Sequence, residues 1–453
     1  MEYVGKRALV IGLGRSGLSA AQWLTGQGAR VTVSEKQEKE SIDERVVRDA
    51  LNLGITLETG GHREETFLDA DIIIVSPGVP LTIPPLVAAR EAGVPVMGEM
   101  ELAGRLVDIP ILAVTGTNGK STMTAFLAAL MEGAGLKVFM GGNIGTPLME
   151  YHLGKGKKDV AVVEVSSFQI DTMETFSPDL ALLMNISPDH LDRYPDYEAY
   201  VASKLRIFQN QGPGQVAILN DGDPRLARVA PGGGVTVLRY GLKAKTGRHA
   251  FLQGKKIRVS LPGQREQDFD VTGFRLQGLH NLENLVGGVL AGLAMKVDSQ
   301  VIQETIGRFE GLPHRLQHVE RIEGVDFYDD SKATNVEAAA RSISSFNCPV
   351  VLIAGGRDKG GDYGPLAESA RGRVKTAVLL GESRELLEKA FHGVIPLQKA
   401  EDMEDAVTKA FAASRADEAV VLAPACSSFD MFEDYVHRGM VFQEIVKGLA
   451  HGR

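Results

Sequence analysis

Eight consecutive residues, Thr115-Gly116-Thr117-Asn118-Gly119-Lys120-Ser121-Thr122, carry the densest chemistry in this sequence. Their Gly-Lys-Ser/Thr ending is that of a phosphate-binding loop. In such a loop backbone amides cradle a nucleotide's phosphates, Lys120 neutralises them and a hydroxyl holds Mg2+. The strict pattern has a glycine five residues before Gly119, and Val114 stands there. The loop points to ATP with Mg2+. A second glycine loop, Gly12-Leu13-Gly14-Arg15-Ser16-Gly17, follows an apolar run and opens a helical one, and Glu35 ends the next apolar run. Its glycines permit a tight turn and let backbone N–H groups approach a diphosphate at a helix N-terminus. An acid at the spacing of Glu35 would accept from a ribose hydroxyl. Taken alone, this loop indicates a nicotinamide-dependent dehydrogenase, or a strand–helix turn that binds nothing. Ser76-Pro77-Gly78 is a further phosphate-side candidate.

Three other segments supply groups for phosphoryl transfer, which needs cations around the migrating group. Glu164 ends an apolar run in Val163-Glu164-Val165-Ser166-Ser167-Phe168-Gln169. An acid in such surroundings is costly unless paired, so it either ligates a hard cation or sits at an exposed strand end. His190, in Asp189-His190-Leu191-Asp192-Arg193-Tyr194, reads as a ligand or as a hydrogen-bonded loop histidine, and Asp192 could merely pair with Arg193. Lys204 falls in the helix-period run 197–209. A helical lysine is ordinarily solvated surface, and the residues alone leave it there.

The elements that must position these groups are short β-branched runs at 7–11, 29–33, 71–75, 111–114, 160–165, 180–184, 350–353, 377–380 and 419–422. Each is followed by turn residues and a helix-period segment, which predicts an α/β fold of parallel sheets. The segment 248–274 differs: Lys256-Ile257-Arg258-Val259-Ser260-Leu261 alternates like an antiparallel strand. Breaks near Gly98 and at Gly311-Leu312-Pro313 divide the chain into domains 1–98, 99–311 and 312–453. A length of 453 residues agrees with about three domains. Hydrophobic residues at 44% and charged residues at 24% speak against global disorder. The net charge of −9 repels phosphate backbones, so neither nucleic acid nor an anionic membrane is an expected partner. Two cysteines cannot build a disulfide framework or a cysteine-rich zinc site. The start, Met1-Glu2-Tyr3-Val4-Gly5-Lys6, does not read as a signal peptide, and no apolar stretch is long enough to span a bilayer. A cytoplasmic protein is expected.

As an ordered set, these blocks resemble the Mur ligase family of ATP-dependent peptidoglycan-precursor ligases over essentially the full length. The shared blocks include the 115–122 loop, Gly141-Gly142-Asn143-Ile144-Gly145, the segments around Glu164 and His190, and Gly278-Leu279-His280-Asn281 with Asn284. They continue with Gly311-Leu312-Pro313-His314-Arg315, Asp330-Ser331-Lys332-Ala333-Thr334-Asn335 and Pro424-Ala425-Cys426-Ser427-Ser428-Phe429-Asp430. Ser-Ser-Phe-Gln and the Pro-Ala-Cys block followed by Arg438-Gly439 match the D-glutamate-adding branch. The Asp-Asn-Pro-Arg sequence of the diaminopimelate-adding branch is absent.

The resemblance implies three domains, Rossmann-like, P-loop and Rossmann-like, in a ligase adding D-glutamate to UDP-N-acetylmuramoyl-L-alanine. It reassigns the first glycine loop to UDP, with Gly14, Arg15, Ser16, Glu35, Lys36 and Gly78 as contacts and no hydride chemistry. Glu35-Lys36 differ from the Asp-containing pair of the family. It implies that Asn143, Ser166 and Gln169 meet the muramoyl part, and that Gly116, Thr117, Asn118, Gly119, Lys120, Ser121, Thr122, Asn284, Arg315, Asp330 and Lys332 hold ATP. D-Glutamate would meet His190, Thr334, Lys359, Ser428 and Tyr435, the last standing where Phe is expected. The resemblance also replaces the surface reading of Lys204 with a CO2-derived carbamate. Two Mg2+ ions are implied, one on Ser121 and Glu164, the other on His190 and carbamylated Lys204. A monomer acting on small-molecule substrates is expected, and another amide ligase of the superfamily, such as a folylpolyglutamate synthase, is the nearest rival.

Overall fold

The alternating runs form three separate sheets in the computed structural model, which describes residues 3–154, 156–190, 193–276, 278–358, 360 and 362–451. The first sheet is wholly parallel, in the order β3-β2-β1-β4-β5. Its strands are β1 Arg7–Ile11, β2 Arg30–Ser34, β3 Thr56–Glu58, β4 Ile72–Val75 and β5 Val96–Gly98. The second sheet comprises β6 Ile111–Thr115, β7 Val138–Gly142, β8 Val160–Glu164, β9 Leu180–Leu183, β10 Val216–Asn220, β11 Thr236–Gly241, β12 Ala250–Gln253, β13 Lys256–Val259 and β14 Gln267–Asp270. Its order is β14-β13-β12-β11-β10-β9-β6-β8-β7. Only the β12-β13-β14 end is antiparallel, which is the β excursion expected at 248–274. The third sheet runs β15-β16-β20-β17-β18-β19. It comprises β15 Gln317–Ile322, β16 Val325–Asp329, β17 Val350–Gly355, β18 Val374–Leu380, β19 Leu397–Lys399 and β20 Ala419–Leu422, with only β15 antiparallel. The expected α/β class is therefore observed.

Strands β4, β6, β8, β9, β17 and β20 are buried along their whole length. Helices cover both faces of a parallel sheet, so its central strands are continuous apolar runs without polar alternation. In each sheet the chain changes direction beside a central strand: at β1/β4, at β6/β9 and at β17/β20. Ligands of open α/β sheets bind beyond the carboxyl ends of strands at such points. The glycine loop at 12–17, the phosphate loop and the blocks at 356–358 and 424–430 follow β1, β6, β17 and β20 directly.

Residues through Phe274 together with Glu283–Phe309 form one compact unit; Arg275–Leu282 and the chain from Glu310 onward form another. No described helix is long and apolar enough to cross a membrane.

Candidate active site

The phosphate loop leaves β6 and turns into the helix Lys120–Gly133. Gly119 has φ +81°, and a Cβ there would lie 2.6 Å from Asn284 Nδ2, so glycine is what admits Asn284 against the loop. Asn185 holds the loop from the end of β9: its Oδ1 accepts from Thr117 N at 3.1 Å and Asn118 N at 2.8 Å. Lys120 Nζ donates to Thr117 O at 2.8 Å, and the Thr117 hydroxyl meets Tyr200 OH at 3.1 Å. Ser121 and Thr122 form the helix's first turn.

Glu164 is buried, which excludes the exposed strand end. Its two carboxylate oxygens are both satisfied, Oε2 by Ser121 Oγ at 2.6 Å and Oε1 by Asn143 Nδ2 at 2.8 Å. One hydroxyl and one carboxylate make an all-oxygen pair that suits Mg2+, a hard ion that keeps several water or phosphate ligands. Among the described residues no three His, Cys, Asp or Glu side chains cluster as a self-sufficient metal site.

Lys204 is not surface. It lies in the helix Tyr197–Leu205, whose N-cap Asp196 accepts from Ala199 N, and it is 1% exposed. Its Nζ donates to Gly116 O at 2.8 Å and sits 4.7 Å from the centre of the Tyr200 ring. Burial, and then the charge of Lys120, push its pKa down to about 7 against the pull of Asp189, Asp171 and Glu164. His190 has φ +54° and a half-exposed ring 4.8 Å from that of Phe168.

At the first sheet, Gly12 has φ +90°, and a Cβ on Gly17 would collide with the Gly12 carbonyl oxygen. Gly14 caps the helix Arg15–Gly26 in an extended conformation. The Glu35 carboxylate folds back on this loop, accepting from Leu13 N at 2.8 Å and Gln37 N at 3.1 Å, while Lys36 is exposed. Arg15 pairs with Glu150 at 2.7 Å and donates to Gly145 O at 2.9 Å; Ser16 Oγ donates to Glu99 Oε2 at 3.0 Å. The Arg193 guanidinium lies 4.4 Å over Phe168 and donates to Gly78 O at 3.3 Å. Arg193 and Phe168 border a cavity of about 320 Å³ that Ser76, Pro77, Asp171 and Tyr194 also line. Gln169 Oε1 accepts from Ser166 N at 2.9 Å, so this carbonyl caps the helix Ser167–Ile170.

In the other unit, Asp330 and Lys332 follow β16, and Ser428 follows β20. Burial pushes the Asp330 carboxyl up to about 6 despite its bond from Ser342. Lys332 Nζ lies 3.8 Å over the Tyr435 ring, and Thr334 N donates to Lys332 O at 2.8 Å. Arg315 is exposed, Ser428 is buried, and Lys359 lies outside the described residues. Arg438, known from sequence only as part of a motif, ties two of these loops together. Its guanidinium donates to Ser331 O at 2.9 Å, Ser331 Oγ at 2.9 Å and Cys426 O at 3.2 Å. Asn185, Tyr200 and Glu99 were also not singled out from sequence; each makes its contact to a glycine loop across a long sequence separation, which no local spacing reveals.

Three family descriptions match consecutive stretches: "Mur ligase MurD-like, N-terminal domain" over residues 6–98, "Mur ligase middle domain" over 114–292 and "Mur ligase, glutamate ligase domain" over 314–426. The UDP-N-acetylmuramoylalanine--D-glutamate ligase of Desulfosudis oleivorans is 44% identical over 452 residues, covering 100% of this chain and 98% of that protein. The protein of the same name from Geotalea daltonii is 40% identical over 454 residues, covering 100% of this chain and 99% of its own. The crystal structure of UDP-N-acetylmuramate-alanine ligase from Thermotoga maritima shares the fold, with a TM-score of 0.58 at 18% identity over 98% of this chain and 100% of that one. With three matched stretches that together span most of its length and relatives this similar from end to end, the chain belongs to the Mur ligase family.

Proposed function

We propose that this chain is a ligase that uses ATP to join D-glutamate to UDP-N-acetylmuramoyl-L-alanine, the activity its relatives' names carry. The observation that supports this reading most is the convergence beside β6 of the phosphate loop, the Ser121–Glu164 pair and a buried lysine. A dehydrogenase has no use for that constellation, and a simple P-loop switch needs no buried lysine.

A carboxylate is a poor electrophile because attack must displace oxide from an anion. Transfer of the ATP γ-phosphoryl group to a carboxylate oxygen breaks the β–γ bridging bond and leaves an acyl phosphate with phosphate as its leaving group. The D-glutamate amine attacks the acyl carbon, loses a proton, and the tetrahedral intermediate expels phosphate. In this reading Gly116, Thr117, Asn118, Gly119 and Thr122 cradle the ATP phosphates and Lys120 stabilises the charge that develops on them, the term that usually dominates such catalysis. Asn284, Arg315, Asp330 and Lys332 contribute to nucleotide binding. Gly14, Arg15, Ser16, Glu35, Lys36 and Gly78 take the UDP part, with Asn143, Ser166 and Gln169 on the muramoyl side. Thr334, Lys359, Ser428, Tyr435 and His190 take D-glutamate. The corresponding domains are 1–98, 99–311 and 312–453.

Lys204 is read as a carbamate. With its pKa near 7 a substantial fraction of the amine is neutral at physiological pH, and that form attacks CO2. The N–C bond forms, one C=O electron pair moves to oxygen, and a proton leaves nitrogen, which turns a cation into an anionic oxygen ligand. Ser121 with Glu164, and His190 with the Lys204 carbamate, would hold two Mg2+ ions, whose chemistry is to neutralise the transferring phosphoryl group.

The test is phosphate release from ATP. It is expected only when the UDP-sugar and glutamate are both present. Release independent of either, or a change in NAD(P)H absorbance instead, contradicts the reading.

A further inference from the structure

Glu99 is a buried acid to which the reaction above gives no part. It opens the short helix Glu99–Gly104 directly after β5 and is 1% exposed. Each of its oxygens has one partner: Met149 N donates to Oε1 at 2.6 Å, and Ser16 Oγ donates to Oε2 at 3.0 Å. The charged or titratable groups near it come from the helix Arg15–Gly26, the segment after Met149 and its own helix, and of these Glu150 acts on its charge. Arg15, on the helix Arg15–Gly26, is engaged by Glu150 at 2.7 Å. From the segment after Met149 come Glu150 and His152, whose ring meets Ala103 O at 3.2 Å and is held toward neutrality by burial. On its own helix, Glu101 is spent on Arg105 and Thr175. None of these pairs a cation with Glu99.

A hydroxyl has one hydrogen, and an ionised carboxylate can only accept. While Glu99 is ionised, the Ser16 hydrogen is committed to it and cannot be offered to a phosphate at the same loop. Met149 N–H requires Oε1 as an acceptor, so a proton arriving on Glu99 goes to Oε2, the oxygen facing Ser16. The new O–H then donates to Ser16 Oγ, and the Ser16 hydrogen is released to turn outward. Resting on the assignment of the 12–17 loop to UDP, we propose that Glu99 is a proton-gated positioning residue for the diphosphate. It takes up one proton from solvent on Oε2 as the UDP-sugar binds, and thereby turns the Ser16 hydroxyl from carboxylate to phosphate.

The carboxyl is poised for this exchange. Burial raises its pKa, the bonds from Met149 N and Ser16 lower it, Glu150 adds a smaller push upward, and the balance is about 7. An incoming diphosphate raises it further by like-charge repulsion.

The experiment is titration calorimetry of the full chain with UDP-N-acetylmuramoyl-L-alanine, at about pH 7.5, in two buffers of different ionisation enthalpy. The diphosphate diester of this probe has no pKa of its own near neutrality. Wild-type protein is expected to take up a large fraction of one proton, and its Kd to rise by up to about tenfold per pH unit above neutrality. In Glu99→Gln the amide NH2 takes the place of the new O–H, so binding is expected to persist with that proton uptake abolished. In turnover, the lost pH slope lies in KM for the UDP-sugar while the slope of kcat remains. Binding by wild-type protein without proton uptake overturns the proposal for Glu99 alone, and this arm stands even if the variant does not fold. Equal uptake in Glu99→Gln and wild type overturns it as well. No binding of the UDP-sugar at all overturns the UDP assignment and this proposal together.

Discussion

At Lys204 the surroundings oppose the ordinary charge of the side chain: burial and the nearby Lys120 cation both favour the neutral amine. If the lysine works as a carbamate, Lys204→Ala leaves a metal underligated and a space where the side chain stood. Acetate or formate added to that variant is expected to restore part of the rate, whereas Lys204→Arg fills the space with a permanent cation and is not rescued. Full activity of Lys204→Ala without added carboxylate contradicts the carbamate. Lys120 makes a separate prediction: Lys120→Ala should lower kcat by about two orders of magnitude or more with the circular dichroism spectrum retained. Near-normal turnover would move the phosphate site elsewhere. Glu99 makes a prediction about stability. Its folded pKa of about 7 lies above the ordinary 4.5, so between these values the native state keeps a proton that the unfolded state has lost. Stability therefore falls as pH rises through that window, and the full penalty, about 3 kcal/mol at most, persists above pH 7. Glu99→Gln removes it, so urea unfolding should show the variant gaining on wild type at about pH 8 but not at about pH 4. An equal difference at both pH values contradicts the shifted carboxyl.

Among the elements, the helix Arg15–Gly26 approaches β1 so closely that Gly17 has no room for a side chain. Gly17→Ala is expected to force this helix away from the Gly12 turn, costing several-fold or more in KM for the UDP-sugar and lowering the urea midpoint; unchanged values of both would show that the turn tolerates the methyl group. The parallel core was legible in sequence because doubly covered strands are continuous apolar runs, and the nine runs fall within about three residues of observed strands. The edge strands were not, nor were the interior strands β10, β11 and β16. β7 ends in Gly141-Gly142, which carry no side chains to mark a strand, and β15, Gln317–Ile322, is mostly polar with neither alternation nor an apolar run. The 115–122 loop and Glu164 could each be singled out because glycine spacing and a lone acid in an apolar run are local signals, but their pairing across 43 positions could not. Lys204 could not be placed from its helix alone, since only the tertiary fold lays Gly116 against it and buries it. Glu99 meets Ser16 across 83 positions and had no local signature.

Over the whole molecule, a net charge of −9 faces three anionic substrates, so their capture depends on cations and backbone amides gathered at strand ends, not on the overall field. Family membership rests on the whole chain; apart from His190, beside the second sheet, the proposed contacts to the amino acid belong to the third sheet. There the proposed contacts Thr334, Ser428 and Tyr435 lie on separate segments, the first two beyond β16 and β20, while the fourth, Lys359, lies outside the described residues. Contacts from several loops around one chiral centre discriminate enantiomers, because the wrong hand leaves charged groups unpaired. The most direct measurement is phosphate release with ATP and UDP-N-acetylmuramoyl-L-alanine, comparing D-glutamate, L-glutamate, L-alanine and diaminopimelate. D-Glutamate is predicted to support turnover, with L-glutamate poor and the other two inactive; equal rates with both glutamate enantiomers, or a preference for L-alanine or diaminopimelate, would contradict the assignment.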